Sequence, residues 1–325
     1  MKRWKSRGAG TLAVFTLCFT GVGRAQISSY GVTKTGYYTQ AGEGASTLES
    51  GENHYFDAFV NPDGLTDIDS ALLRAPGGLQ LEMAPVLFFF QGFTTQAGLD
   101  NQFGNGTYSF QITTADLDFF FAQLSLSGGY PTVPHVSNFA AGQSIAAAAD
   151  FTLHWDPFVG GTTGDAINVT IDDDSANTVF QASGQGPNGG LTGQETSVLI
   201  PAGTFVPGTN YLCTLTFTKV STLDGSSIPG AVGVAAYVRQ TRLPLKTAAS
   251  SIPIEVSLTG FSRQPDGSFQ LQVSGTAGAT FTVEATTDFA NWSGLLTTNP
   301  PAGSFSFTDT AAAGLSTRFY RAKAN

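Results

Sequence analysis

The sequence predicts an all-β protein: three consecutive β-sandwich-like domains after a signal peptide. Three observations lead there. Apolar and polar residues alternate with period two in segment after segment, as in Tyr108, Phe110 and Ile112 or Phe281, Val283 and Ala285. Turn-forming clusters of Gly, Pro, Asn and Asp, drawn from 39 glycines and 15 prolines in 325 residues, cut these segments at short intervals. Long stretches with helical periodicity are missing.

The first 25 residues differ in kind. Lys2, Arg3, Lys5 and Arg7 precede the apolar run Leu12–Phe19, and Gly23, Arg24 and Ala25 supply small residues at a cleavage point. A basic start, a short apolar core and a small-residue cut describe a secretory signal peptide, residues 1–25. The run is too short for a bilayer, which takes about 20 residues. No later stretch reaches that length, so no transmembrane anchor is expected. Lipid attachment at Cys18 would need a small residue where Leu17 stands. Cutting after Ala25 removes five basic residues and leaves 10 Lys and Arg against 24 Asp and Glu, a net charge of −14. So acidic a chain is repelled by phosphate backbones, and nucleic acid is not an expected partner. Only Cys213 then remains, so no internal disulfide is expected, and hydrophobic cores carry the stability.

The N-terminal β-rich domain is assigned to residues 26–130. Its clearest strand is Thr107–Thr113, and Leu79, Leu81 and Met83 alternate similarly. A short helix is predicted over Thr95–Phe103, capped by Thr94 or Thr95, with Asn105 and Gly106 turning the chain into the Tyr108 strand. Two triplets break the alternation: Phe88, Phe89, Phe90 and Phe119, Phe120, Phe121. Adjacent strand residues point to opposite faces, so both strands are apolar on two sides. Three placements follow: a central strand under a helix or loop, a contact with the next domain, or an exposed interaction surface. Gly128–Pro134 has the composition of an extended linker.

Residues 131–247 show seven strand patterns, from His135–Phe139 to Val234–Leu245, a count and spacing that suggest a two-sheet sandwich. In Tyr211, Cys213, Leu215 and Phe217 the period places Cys213 in the core. The segment Phe151-Thr-Leu-His-Trp-Asp-Pro157 resembles the second strand of fibronectin type III and related immunoglobulin-like modules. Phe205-Val-Pro-Gly-Thr-Asn-Tyr211 resembles their passage into the sixth strand. The resemblance implies a β-sandwich with Trp155 and Tyr211 in its core. It covers about a third of the chain and departs from the family in the glycine-rich loop Gly184–Gly193.

Lys246–Ser251 is a small-residue hinge. Residues 252–325 form the most regular region, assigned as a C-terminal immunoglobulin-like β-module. Phe281 to Trp292, Phe305 to Asp309 and Arg318 to Arg321 look like a C-terminal module common on secreted bacterial proteins. That resemblance implies an accessory or spacer role.

No catalytic constellation stands out. His54, His135 and His154 lie in separate settings without the His-x-x-x-His spacing of a zinc helix. Gly225–Pro229 places proline where a nucleophile elbow closes on glycine. Asp63, Asp67 and Asp69, or Asp172, Asp173 and Asp174, are oxygen-rich enough for calcium, but Asp also dominates tight turns. No cofactor is expected. Tyr30, Tyr37 and Tyr38 are candidate sugar contacts, and the six phenylalanines a candidate interaction surface. The function expected is that of a secreted or cell-surface, non-catalytic modular protein working by adhesion, surface assembly or spacing. Its partner would be a protein or polysaccharide at the cell surface. A carbohydrate-binding accessory protein, or a hydrolase whose acids meet only in the folded chain, are the alternatives.

Overall fold

The computed structural model describes residues 27–63, 68–183, 190–249, 256–277 and 279–324. The expected leader at 1–25 with Cys18, Asp67, most of the Gly184–Gly193 loop, and residues 250–251 of the expected hinge lie outside the described residues. The chain divides after Ala249 into two units.

The first unit begins with β1 (Ile27–Thr39), β2 (Thr47–Leu48), β3 (His54–Pro62), β4 (Ile68–Arg74), β5 (Gln80–Glu82), β6 (Phe88–Phe93), α1 (Gln96–Gln102), β7 (Gly106–Thr114) and β8 (Phe119–Leu126). Strands β1, β3 and β6 pair side by side, and a separate sheet has the order β5-β4-β7-β8. Their inward residues form one core. Tyr30, Val32, Phe56, Ala58 and Val60 meet Leu73, Tyr108, Phe110, Ile112 and Leu124. Helix α1 closes this core with Leu99, and the Phe103 ring just beyond it stacks on Phe56 at 3.9 Å. Thr95 caps the helix, accepting from the Gly98 amide at 3.1 Å. Periodicity alone does not announce β1, because Gly31, Lys34 and Gly36 interrupt its apolar pattern. Gly31 has a packing reason: a Cβ there would come within 2.5 Å of the Val234 carbonyl and 2.8 Å of the Phe59 ring.

The next strands are β9 (Phe151–His154), β10 (Ala166–Asp173), β11 (Thr178–Ala182), β12 (Ser197–Ile200), β13 (Asn210–Asp224) and β14 (Val232–Lys246). The β9–β12 pair faces β11-β10-β13-β14 across a second core. This is the sandwich that the fibronectin type III resemblance implied. The predicted front strand, His135–Phe139, contributes one bridge, from Val136 to Trp155. Trp155 and Tyr211 are both buried in this core. The indole donates to the Glu195 carbonyl at 2.9 Å, and the Tyr211 hydroxyl accepts from the Val206 amide at 2.7 Å.

The two cores share a sheet. Strand β1 pairs in parallel with β14 from Ser29–Val232 to Thr39–Arg242, giving the order β11-β10-β13-β14-β1-β3-β6 with β2 on the side. Strands β13 and β14, 15 residues each, outrun their own sandwich. The first half of β14 places Ala235 and Tyr237 in the N-terminal core, and Ile228 and Ala231 of the preceding turn join them. The Gly128–Pro134 segment crosses the sheet between the cores. Thr241 donates to the Pro134 carbonyl at 2.7 Å, and Gln40 holds both backbone groups of Val136 at 2.8 and 2.9 Å.

The second unit is a small sandwich of its own. Its strands are β15 (Val256–Arg263), β16 (Phe269–Gly275), β17 (Phe281–Thr286), β18 (Ser293–Thr298), β19 (Ser304–Asp309) and β20 (Phe319–Ala324). Sheets β15-β16-β19 and β18-β17-β20 enclose Leu271, Val273 and Val283. Trp292 sits at a turn beneath the Arg321 guanidinium, 4.1 Å from its ring. Among the described residues no helix is long and apolar enough to cross a membrane.

Candidate functional site

The phenylalanine triplets occupy sheet edges. Strand β6 ends the large sheet and β8 ends the smaller one. Neither is a central strand covered on both faces, the first of the three placements. Phe89 and Phe120 pack against the N-terminal core, while Phe88, Phe90, Phe119 and Phe121 are 40, 63, 64 and 47 % exposed. Pairing register fixes which faces these are. Phe88 lies opposite Phe59 and Phe90 opposite Asp57, on the face of β3 that points away from buried Phe56 and Ala58. Phe119 and Phe121 lie opposite Thr113 and Gln111, on the outer face of the other sheet. The four exposed rings therefore make two patches on opposite sides of one sandwich.

The face of the large sheet turned away from the N-terminal core runs through β6, β3, β1, β14 and β13, and beyond β6 it is covered, with Phe59, Val234 and Ala236 in a small buried apolar cluster. One row reads Phe88, Phe59, Gly31, Val234, Leu223; the next reads Phe90, Asp57, Thr33, Ala236, Val220. Burial pushes the Asp57 carboxyl up to about 6, and hydrogen bonds from Thr33 and Thr35 oppose that rise. Tyr37 shares this face, edge-on to Tyr55 at 5.4 Å.

The three tyrosines do not form one platform. Tyr30 and Tyr38 point inward and are buried, because strand neighbours one or seven residues from Tyr37 face the other way. Tyr30 packs over Gly233 and donates to the Asp224 carboxylate at 2.6 Å, which removes it as a sugar contact.

The inner face of the large sheet turns polar where the cores part. Lys34 lies between Phe56 and Tyr237 in the strand register and has 0 % side-chain exposure. Its ammonium donates to Asp100 Oδ1 at 2.8 Å and to Asn105 Oδ1 at 3.4 Å. Tyr130 donates to the same Asp100 oxygen at 3.1 Å, and Tyr237 to Asn105 at 2.6 Å. Burial pushes the Tyr237 hydroxyl up to about 12, and the Asp100 charge adds to this. Arg239 stacks over Tyr38 and Tyr130 and donates to Gln96 at 3.3 Å. The neutral form of nearby His54 is favoured, its pKa lowered first by burial and then by Arg239. These groups surround a cleft of about 240 Å³ lined by Gln96, Asp100, Asn105, Tyr130 and Tyr237, with Gly128 and Gly129 at its side. Its one lining carboxylate is Asp100, whereas glycoside hydrolysis uses two.

The remaining candidates disperse. His135 pairs with Asp156 at 2.8 Å, His154 is exposed, and buried His54 meets Asn53 at 2.6 Å. Asp173 closes a turn by accepting from the Ser175 and Asn177 amides, and Asp172 accepts from Thr178. Among the described residues no group of three or more His, Cys, Asp or Glu is placed to hold a metal ion. Cys213 is buried, its thiol pushed up to about 12 by desolvation.

No family model matches the chain, and no curated protein does. The chain is an all-β protein of sandwich modules. Solved structures similar to it are adhesin-repeat and fibronectin type III domains. A tetra-tandem repeat from the extending region of a large adhesion protein is 10 % identical over 91 % of this chain and 74 % of that one, with a TM-score of 0.26. A two-domain fibronectin type III segment of chicken tenascin is 16 % identical over 56 % of this chain and 83 % of that one, at 0.29. A bacterial ice-binding adhesin is 11 % identical over 89 % and 88 %, at 0.23. The architecture rests on the chain's own strand pairing.

The sequence marks Asn105 only as a turn and gives Lys34, Asp100, Tyr130 and Tyr237 no role. A lysine on the same period-two strand face as Tyr30, Val32 and Tyr38 was the available signal.

Proposed function

We propose that the chain is an exported, non-catalytic surface protein that works by adhesion or surface assembly, and that the β6 edge with Phe88 and Phe90 is its contact surface. One observation carries this: β6 is a sheet edge that presents Phe88 and Phe90 outward, in line with Phe59. An exposed edge with aromatic side chains suits addition of a strand from a protein partner at the cell surface. The adhesin-repeat neighbours are compatible with this role. The test is retention of the mature protein, starting at Gln26, on cell-envelope fractions. Phe90→Lys is expected to abolish retention, and Phe119→Lys, on the opposite patch, to leave it intact. Equal retention of both variants and the parent would refute the assignment to β6.

A further inference from the structure

We infer that the cleft at the junction of the two cores binds a single ring of a neutral sugar, such as the end residue of a glycan. The volume of about 240 Å³ falls below the roughly 300–1,000 Å³ that enclose drug-sized ligands, which leaves room for one ring. The chemistry of the lining selects the class. Asp100 Oδ1 is already taken by Lys34 and Tyr130, whereas Oδ2 has only a long contact of 3.4 Å from Gln96 Nε2. That oxygen is an acceptor for hydroxyl donors, and the Asp100 side chain is 37 % exposed toward solvent. Beyond its bonds to Asp100 and Arg239, the Gln96 amide keeps one N–H and one lone pair for a ligand, and Asn105 keeps one N–H beyond its bond to Gly128. Tyr130, half-buried and edge-on to the buried Tyr237 ring at 5.0 Å, supplies the aromatic wall for the carbon face of a ring.

Charge favours a neutral ligand. The Lys34 ammonium offsets the Asp100 carboxylate, and the Arg239 guanidinium is turned onto the Tyr38 and Tyr130 rings. The site is also prepared in advance. Lys34 fixes Asp100, Tyr237 fixes Asn105 and Arg239 fixes Gln96, so little side-chain freedom remains to be lost on binding. Gly128, at φ +90° with nothing within 4 Å of where a Cβ would sit, keeps that side open. The cleft lies on the inner face of the large sheet and Phe88 and Phe90 on the outer, so the two assignments stand or fall separately.

The experiment is saturation-transfer NMR on the mature protein with methyl glycosides of glucose, galactose, mannose, xylose and N-acetylglucosamine. Methyl glucuronide and glucosamine serve as charged probes. At least one neutral glycoside is expected to receive saturation. Its affinity should fall about fivefold in Gln96→Ala, the loss of one net hydrogen bond, and further in Tyr130→Ala. Phe90→Lys should leave it unchanged. If Tyr130→Ala fails to fold, the solvent-side Gln96→Ala decides. No saturation of any neutral glycoside, saturation unaltered in Gln96→Ala, or binding of the charged probes alone would overturn the inference.

Discussion

Replacing Asp100 with alanine strands the charge of Lys34. The ammonium has 0 % exposure and would lose its 2.8 Å carboxylate, keeping only Asn105 at 3.4 Å. Removing one partner of a buried pair costs roughly 3–5 kcal/mol, because the other charge stays desolvated. Asp100 itself is 37 % exposed, which places this case near the lower end, at about 3 kcal/mol. The reverse change behaves differently. Lys34→Met leaves a carboxylate that solvent reaches and that still accepts from Tyr130, and it adds an apolar side chain between Phe56 and Tyr237. Its cost should be about 1 kcal/mol or less. The assay is urea unfolding of the mature protein in a Trp292→Phe background, so that Trp155 alone reports the first unit. The double change Lys34→Met with Asp100→Ala should recover most of the loss. If Asp100→Ala costs under about 1 kcal/mol, or Lys34→Met costs as much as Asp100→Ala, the ammonium does not depend on this carboxylate as the geometry requires.

Two further outcomes concern single buried groups. His54 has a folded pKa below its ordinary value, so the unfolded chain takes up a proton that the folded chain resists. The His54 contribution should therefore be fully present above about pH 6.5 and be lost as the pH falls below it, opposed by Asp57, whose pKa raised to about 6 favours the folded state on acidification, and the difference between parent and His54→Gln in thermal melts should isolate it. Cys213, with its thiol at about 12 and no exposure, should resist alkylation by iodoacetamide at pH 8 in the native protein and react only in denaturant; rapid native labelling would contradict its place in the core.

Much of the fold was legible because strand chemistry is local. Period two put Trp155, Tyr211 and Cys213 on inward faces, and the structure buries all three. The Thr95 cap and the turn at Asn105 marked α1 and the start of β7 for the same reason. The two halves of the candidate surface were harder to place. Three phenylalanines in a row reveal a strand with two apolar faces, but whether another strand lies beyond it depends on pairing partners elsewhere in the chain. Tyr37 and Tyr38 show the limit from the other side. Their adjacency already requires opposite directions, yet only the position of the core decides that Tyr38 is the one enclosed.

By itself, then, the sequence determined the all-β class and the sandwich around Trp155 and Tyr211. Alternation, turns and caps act over a few residues and are written locally. Tertiary structure alone decided that β1 joins β14 in parallel, that one sheet serves two cores, and that Lys34 meets Asp100 from 66 positions away in the chain. Those contacts arise from strand order, and strand order is a property of the whole chain's burial, which no short window of residues contains.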